Sequence, residues 1–87
     1  MSAQTIEQMK VLLAALQPLQ MQIIDDSHKH AGHAGARSGG GHYQLVITSA
    51  LFIGKPTLAR HRMIYSALGS LMKQEIHALQ ITANTPQ

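Results

Sequence analysis

Six histidines among 87 residues, in a chain with no cysteine, are the feature most suggestive of chemistry. Three lie together as His28-Lys29-His30-Ala31-Gly32-His33, in a stretch rich in glycine; the others are His42, His61 and His77. A neutral imidazole suits zinc, nickel and iron as a borderline ligand. The spacing of His28, His30 and His33 could gather zinc or nickel, but on a Gly-rich segment the ligand geometry is not preset. A solvated histidine tract that binds metal weakly by composition is the alternative. The lack of cysteine excludes disulfide scaffolds, thiolate zinc fingers, cysteine nucleophiles and self-contained iron–sulfur sites. Any metal chemistry must use histidine, carboxylate or a partner's ligands.

The second cluster is basic: Arg60-His61-Arg62, with Lys55 before it and Lys73 after it. Consecutive helical residues point about 100° apart, so these three cannot form one flat ligand set. The cluster reads as a solvated basic face, as a dock for an acidic partner, or as a phosphate contact through Lys55, Arg60 and Arg62. Asp25 and Asp26 alternate faces if they lie in a strand, and Ser27 beside His28 is mere adjacency, so neither is a ready catalytic couple. There is no P-loop and no dinucleotide fingerprint. No catalytic residue is predicted, and the chain reads as non-enzymatic.

These groups need elements to position them. Thr5 and Gln8 have capping-box spacing, and Ile6, Met9, Leu13 and Leu16 follow at helical intervals until Pro18, which predicts an amphipathic helix over residues 3–17. Met21 to Ser27 reads as a strand ending in the acidic pair. The segment from His28 to Gly41 reads as a loop with few side chains to anchor it. His42 to Ser49 alternates, with Tyr43, Leu45 and Ile47 on one face, and is the clearest strand. Pro56 is placed to open a helix, and Leu58, Tyr65, Leu68 and Met72 carry a helical period to about Gln74, weakened at Gly69. Ile76 to Thr82 is a third strand, with His77 on the parity of Leu79 and Ile81, followed by a frayed tail from Ala83.

The first two strands should form a hairpin, and the helical crossover should make the second and third parallel. Helices on one face of a three-stranded mixed sheet give a two-layer α+β domain, and 87 residues allow one domain only. Apolar residues make up 45% and charged residues 13%, a globular composition. No run of about 18 apolar residues and no leader is present, so the cytosol is the expected compartment. The net charge of +3 permits weak attraction to polyanions, but three aromatic residues would poorly supply a base-stacking platform.

Phe52-Ile53-Gly54, Ala59-Arg60-His61-Arg62-Met63-Ile64-Tyr65 and Ile76-His77-Ala78-Leu79 together resemble the BolA family. Asp25-Asp26-Ser27-His28-Lys29-His30 and the strand opening His42-Tyr43 fall where that family has its acidic strand end, its ligand loop and its second strand. The resemblance runs over essentially the whole chain. It implies a single domain over residues 1–87 with element order α-β-β-α-α-β, similar to type II KH domains. It further implies a partner of a monothiol glutaredoxin, with which a [2Fe–2S] cluster is shared. The glutaredoxin and glutathione would supply sulfur, and this chain a C-terminal histidine, His77, and a loop ligand, His30. The loop is longer than the family's common form, which keeps His28 and His33 as alternates to His30.

Exchanging thiolate for imidazole on one iron raises the cluster potential, and a half-site that borrows sulfur accords with a chain lacking cysteine. The isolated chain would be a monomer or a weak homodimer without its own cofactor. BolA-like proteins have also been regarded as transcriptional regulators, so DNA is a further expected partner through Lys55, Arg60 and Arg62. The GXXG clamp of nucleic-acid-binding KH domains is missing, however, since Ile53-Gly54-Lys55-Pro56-Thr57 carries one glycine and a proline.

Overall fold

The computed structural model describes residues 2–27 and 41–86. Helix α1 (Ser2–Leu13) runs into a 3-10 turn (Ala14–Leu16), and strand β1 (Gln20–Asp25) follows. Strand β2 (Gly41–Thr48), a 3-10 turn (Ala50–Phe52), helices α2 (Thr57–Leu68) and α3 (Leu71–Gln74) and strand β3 (Ile76–Asn84) complete the order. The sheet order is β1-β2-β3, antiparallel between β1 and β2 and parallel between β2 and β3. This is the mixed three-stranded α+β arrangement that the sequence predicts. The loop from His28, with the ligand assignments to His28, His30 and His33, lies outside the described residues, apart from Gly41 at its end.

The core is assembled on the helical side of the sheet. Tyr43, Leu45 and Ile47 point inward from β2 and meet Met9 and Leu13 of α1, Phe52, and Ile64 and Leu68 of α2. Burying one such side chain contributes about 1.5 to 3 kcal/mol, so these few contacts carry most of what holds so small a domain together. Ser49 is also fully buried, and is satisfied on both sides. Its Oγ donates to the Leu16 carbonyl (2.6 Å) and accepts from the Leu51 N–H (3.0 Å), tying the end of the first helical stretch to the end of β2.

Several boundaries differ from those the periodicity predicts. Helix α1 already starts at Ser2, so Thr5 is an interior helical residue, 4% exposed, and not an N-cap. The helical path stops before Pro18, with Gln17 in the left-handed region at φ 53°. The predicted continuous helix to Gln74 is two helices, because Gly69 takes φ 55° and ψ −131° after Leu68. Inward contacts there come from Ile64, Leu68 and Leu71, whereas Leu58 and Tyr65 face solvent. The predicted frayed tail is strand as far as Asn84, since Ser49 N–H donates to the Asn84 carbonyl (3.0 Å) and Arg60 Nη1 to that of Ala83 (2.9 Å).

Candidate functional site

One corner of the sheet gathers the residues with ligand chemistry. Strand β1 ends there, β2 begins there, and parallel pairing brings the start of β3 alongside. Asp26 N–H donates to the His42 carbonyl (2.7 Å), and His42 N–H donates to Ser27 Oγ (3.0 Å). Ser27 N–H in turn reaches Asp25 Oδ1 (2.8 Å), a turn in which the aspartate side chain replaces a backbone acceptor. Gly41 N–H closes the other side on the Glu75 carbonyl (3.0 Å). The chain leaves this corner after Ser27 and returns at Gly41, so the intervening segment is tethered to it at both ends.

His77 reaches this corner through a β-bulge. Gly41 pairs with Ile76 but His42 pairs with Ala78, so His77 is the extra residue of β3. The bulge changes the parity of the strand: Ile76 is buried, His77 and Ala78 are both exposed, and the inward row resumes at Leu79, Ile81 and Ala83. The expectation that His77 shares a face with Leu79 and Ile81 is therefore corrected, because an unpaired residue bends the strand and re-aims the side chain. An imidazole on the inward row would sit at the core rim; this one is presented to solvent.

Its neighbour is a histidine that the sequence did not single out. The rings of His42 and His77 have centroids 5.0 Å apart, tilted by 46°. His42 alternates with inward-facing Tyr43 and so stands on the open face of the sheet, half-buried, with Nε2 shut away from solvent. His77 is thus the exposed imidazole of the pair, and His42 is the half-buried ring beside it. Only the parallel register and the bulge bring the two together, and neither can be read from local spacing. On the same face, Gln44 Nε2 donates to Asp26 Oδ2, which fixes the acidic strand end beside His42. Among the described residues no three of His, Cys, Asp and Glu converge closely enough to hold an ion by themselves.

The donor set tests the fit of a shared iron–sulfur cluster. One exposed imidazole suits iron as a borderline nitrogen ligand. These residues fit a half-site completed by other chains and do not form a closed cage.

The basic residues lie elsewhere and do not act as one group. Arg60 Nε donates to the Lys55 carbonyl (2.7 Å) and Nη1 to the Ala83 carbonyl (2.9 Å), so its guanidinium joins the start of α2 to the end of β3. Arg62 and Lys55 are exposed. Arg60 and Arg62 are two helical positions apart, about 200° around α2, and face different directions. His61 is half-buried on the same helix.

Comparison with known proteins agrees with this fold. The model of the BolA family, described as BolA-like protein, matches residues 12–87. The chain belongs to the BolA family. It is 39% identical over 74 residues to the DNA-binding transcriptional regulator BolA of Escherichia coli, covering 85% of this chain and 68% of that protein. It is 42% identical over 76 residues to SufE-like protein 1, chloroplastic/mitochondrial, of Arabidopsis thaliana, covering 82% of this chain but 20% of the relative. The chain thus spans about a fifth of that longer protein. Among solved structures, BolA1 from Arabidopsis thaliana superposes with a TM-score of 0.79 at 30% identity, covering 94% of this chain and 92% of that one. Among the described residues no helix is long and apolar enough to cross a membrane.

Proposed function

We propose that this chain is a non-enzymatic partner of a monothiol glutaredoxin and shares a [2Fe–2S] cluster with it, supplying His77 and one histidine of the segment from His28. His30 is the first choice by position, with His28 and His33 as alternates. The observation that carries the reading is the bulge that turns His77 out of the inward row, at the corner where that segment begins and ends. A bulge beside a potential ligand is a device for aiming a side chain, and a histidine merely filling the core rim would not need one. The cluster, when bound, would supply a redox-active and transferable iron centre. This chain's part is to present one imidazole, held against His42, and a second from the tethered segment.

Mixing the protein with a cluster-loaded monothiol glutaredoxin homodimer should change the visible absorption and circular dichroism, and size exclusion should show a heterodimer. An unchanged spectrum with no heterodimer rejects the reading.

A second reading, regulation through DNA, is favoured by the Escherichia coli relative's name. Its contacts would be Lys55 and Arg62, with Arg60 adding only the N–H groups left after its two carbonyl bonds. Binding through phosphates must weaken steeply with salt and fall when Lys55 and Arg62 are neutralised, whereas cluster-bridged assembly should respond to His77.

A further inference from the structure

At the end of the sheet opposite His77 lies an open pocket of about 710 Å³, a volume in the usual range for small-ligand sites. It is lined by Gln20 and Leu19 at the start of β1, Thr48 at the end of β2, Asn84, Thr85 and Pro86 at the end of β3, and Arg60 of α2. We propose that this pocket binds a singly charged carboxylate, with Arg60 as its cationic anchor.

The argument starts from the guanidinium. Arg60 has five N–H donors, of which Nε serves the Lys55 carbonyl and one on Nη1 serves the Ala83 carbonyl. These two bonds hold the planar group in place, so binding a ligand need not immobilise a long side chain. Three N–H groups remain, both of those on Nη2 among them. Between described residues the ion pair is that of Lys10 with Glu7, and no described carboxylate is in ion-pair contact with Arg60. A fixed, half-buried cation with no described carboxylate beside it, facing a cavity, favours an anion there.

The rest of the lining selects the kind of anion. Gln20 and Asn84 offer side-chain amides, and Thr48 and Thr85 offer hydroxyls, all of which can donate to an oxygen. Among the described residues no lysine and no second arginine borders the pocket, so one charge is matched and a doubly charged phosphate is not. A carboxylate fits the flat guanidinium fork and uses the amides and hydroxyls for its remaining lone pairs. Leu19 and Pro86 give the pocket apolar flanks for a short carbon chain. A small organic acid and the carboxyl terminus of a peptide share this chemistry.

The test is a titration of the full-length, isotope-labelled protein with sodium acetate against sodium chloride at matched ionic strength, followed by amide and Arg Nε–H resonances. Saturable shifts confined to Gln20, Thr48, Arg60, Asn84 and Thr85 support the proposal. Asn84→Ala and Thr85→Val leave both Arg60 anchors in place. Each should weaken acetate binding by about tenfold, as expected for one lost hydrogen bond to a charged group. Triglycine with a free carboxyl terminus that binds better than acetate, while its amidated form does not bind, identifies a peptide as the source; equal or weaker binding identifies a small acid. Shifts that do not saturate, that spread to Lys55 and Arg62, that survive both substitutions, or that appear with inorganic phosphate but not acetate overturn it.

Discussion

The imidazoles of His42 and His77 rest against each other with ring centroids 5.0 Å apart, although one opens β2 and the other bulges from β3. Only His77 is exposed, so the pair divides into a presented group and its support. This division gives an order of effects. His77→Ala should remove the visible signal of the glutaredoxin complex. His42→Ala should weaken cluster retention by about tenfold, in the manner of an outer group that orients a ligand, and His42→Phe should restore most of it by keeping a ring in contact. All three should fold, and His77→Ala should shift stability by no more than about 0.5 kcal/mol, since an exposed side chain is removed. Equal loss in all three variants would contradict the division.

A side chain at Gly41 would force the buried Tyr43 to move. A Cβ there would lie 2.5 Å from Cε2 and 2.7 Å from the hydroxyl oxygen of Tyr43, whose ring is only 4% exposed. Gly41→Ala should destabilise the fold by about 1 to 3 kcal/mol in urea unfolding, the usual range for overpacking a core. In a Tyr43→Leu background the same substitution should cost much less, because the atoms it meets are gone. Additive effects would refute the contact as the cause.

Gly69 is constrained by its backbone and not by space. Its φ is positive and nothing lies within 4 Å of the position a Cβ would take. Gly69→Ala should cost about 1 to 3 kcal/mol of unfolding free energy, with no compensation available from trimming neighbours. An unchanged midpoint would mean that the break between α2 and α3 does not depend on glycine.

Ser49→Ala should leave the Leu16 carbonyl and the Leu51 N–H without their partner inside the protein. The expected loss is about 1 to 3 kcal/mol, read from thermal or urea unfolding, with hydrogen exchange accelerated at Leu51. Retained protection at Leu51 would show that the hydroxyl is not its acceptor.

Much of the architecture was legible because its signals are local. The alternation of Tyr43, Leu45 and Ile47 marks β2, and Pro56 marks the start of α2. The motif drew attention to His77 but not to its direction, since counting parity along β3 assumes an unbroken ladder and the bulge breaks it. His42 was passed over for the same reason: its meaning depends on which residue of another strand lies beside it. Thr5 resembled a cap because capping spacing also occurs inside helices, and here the helix extends one turn further back. Ala83 and Asn84 resembled a loose end until Arg60 and Ser49, distant in sequence, supplied their hydrogen bonds.

The hydrogen-bonded neck at Asp26, Ser27 and His42 makes this corner a natural splice point. The strands are already fastened to each other where the chain departs, so the length of the span between Ser27 and His42 is not dictated by the sheet. For a flexible span, doubling the length adds only about 0.6 kcal/mol of closure entropy. A foreign peptide, or a small domain with adjacent termini, could be inserted there without shifting the register of β1 on β2. The fold can vary the segment between these two anchors as a cassette while the bulge keeps His77 in its place on β3.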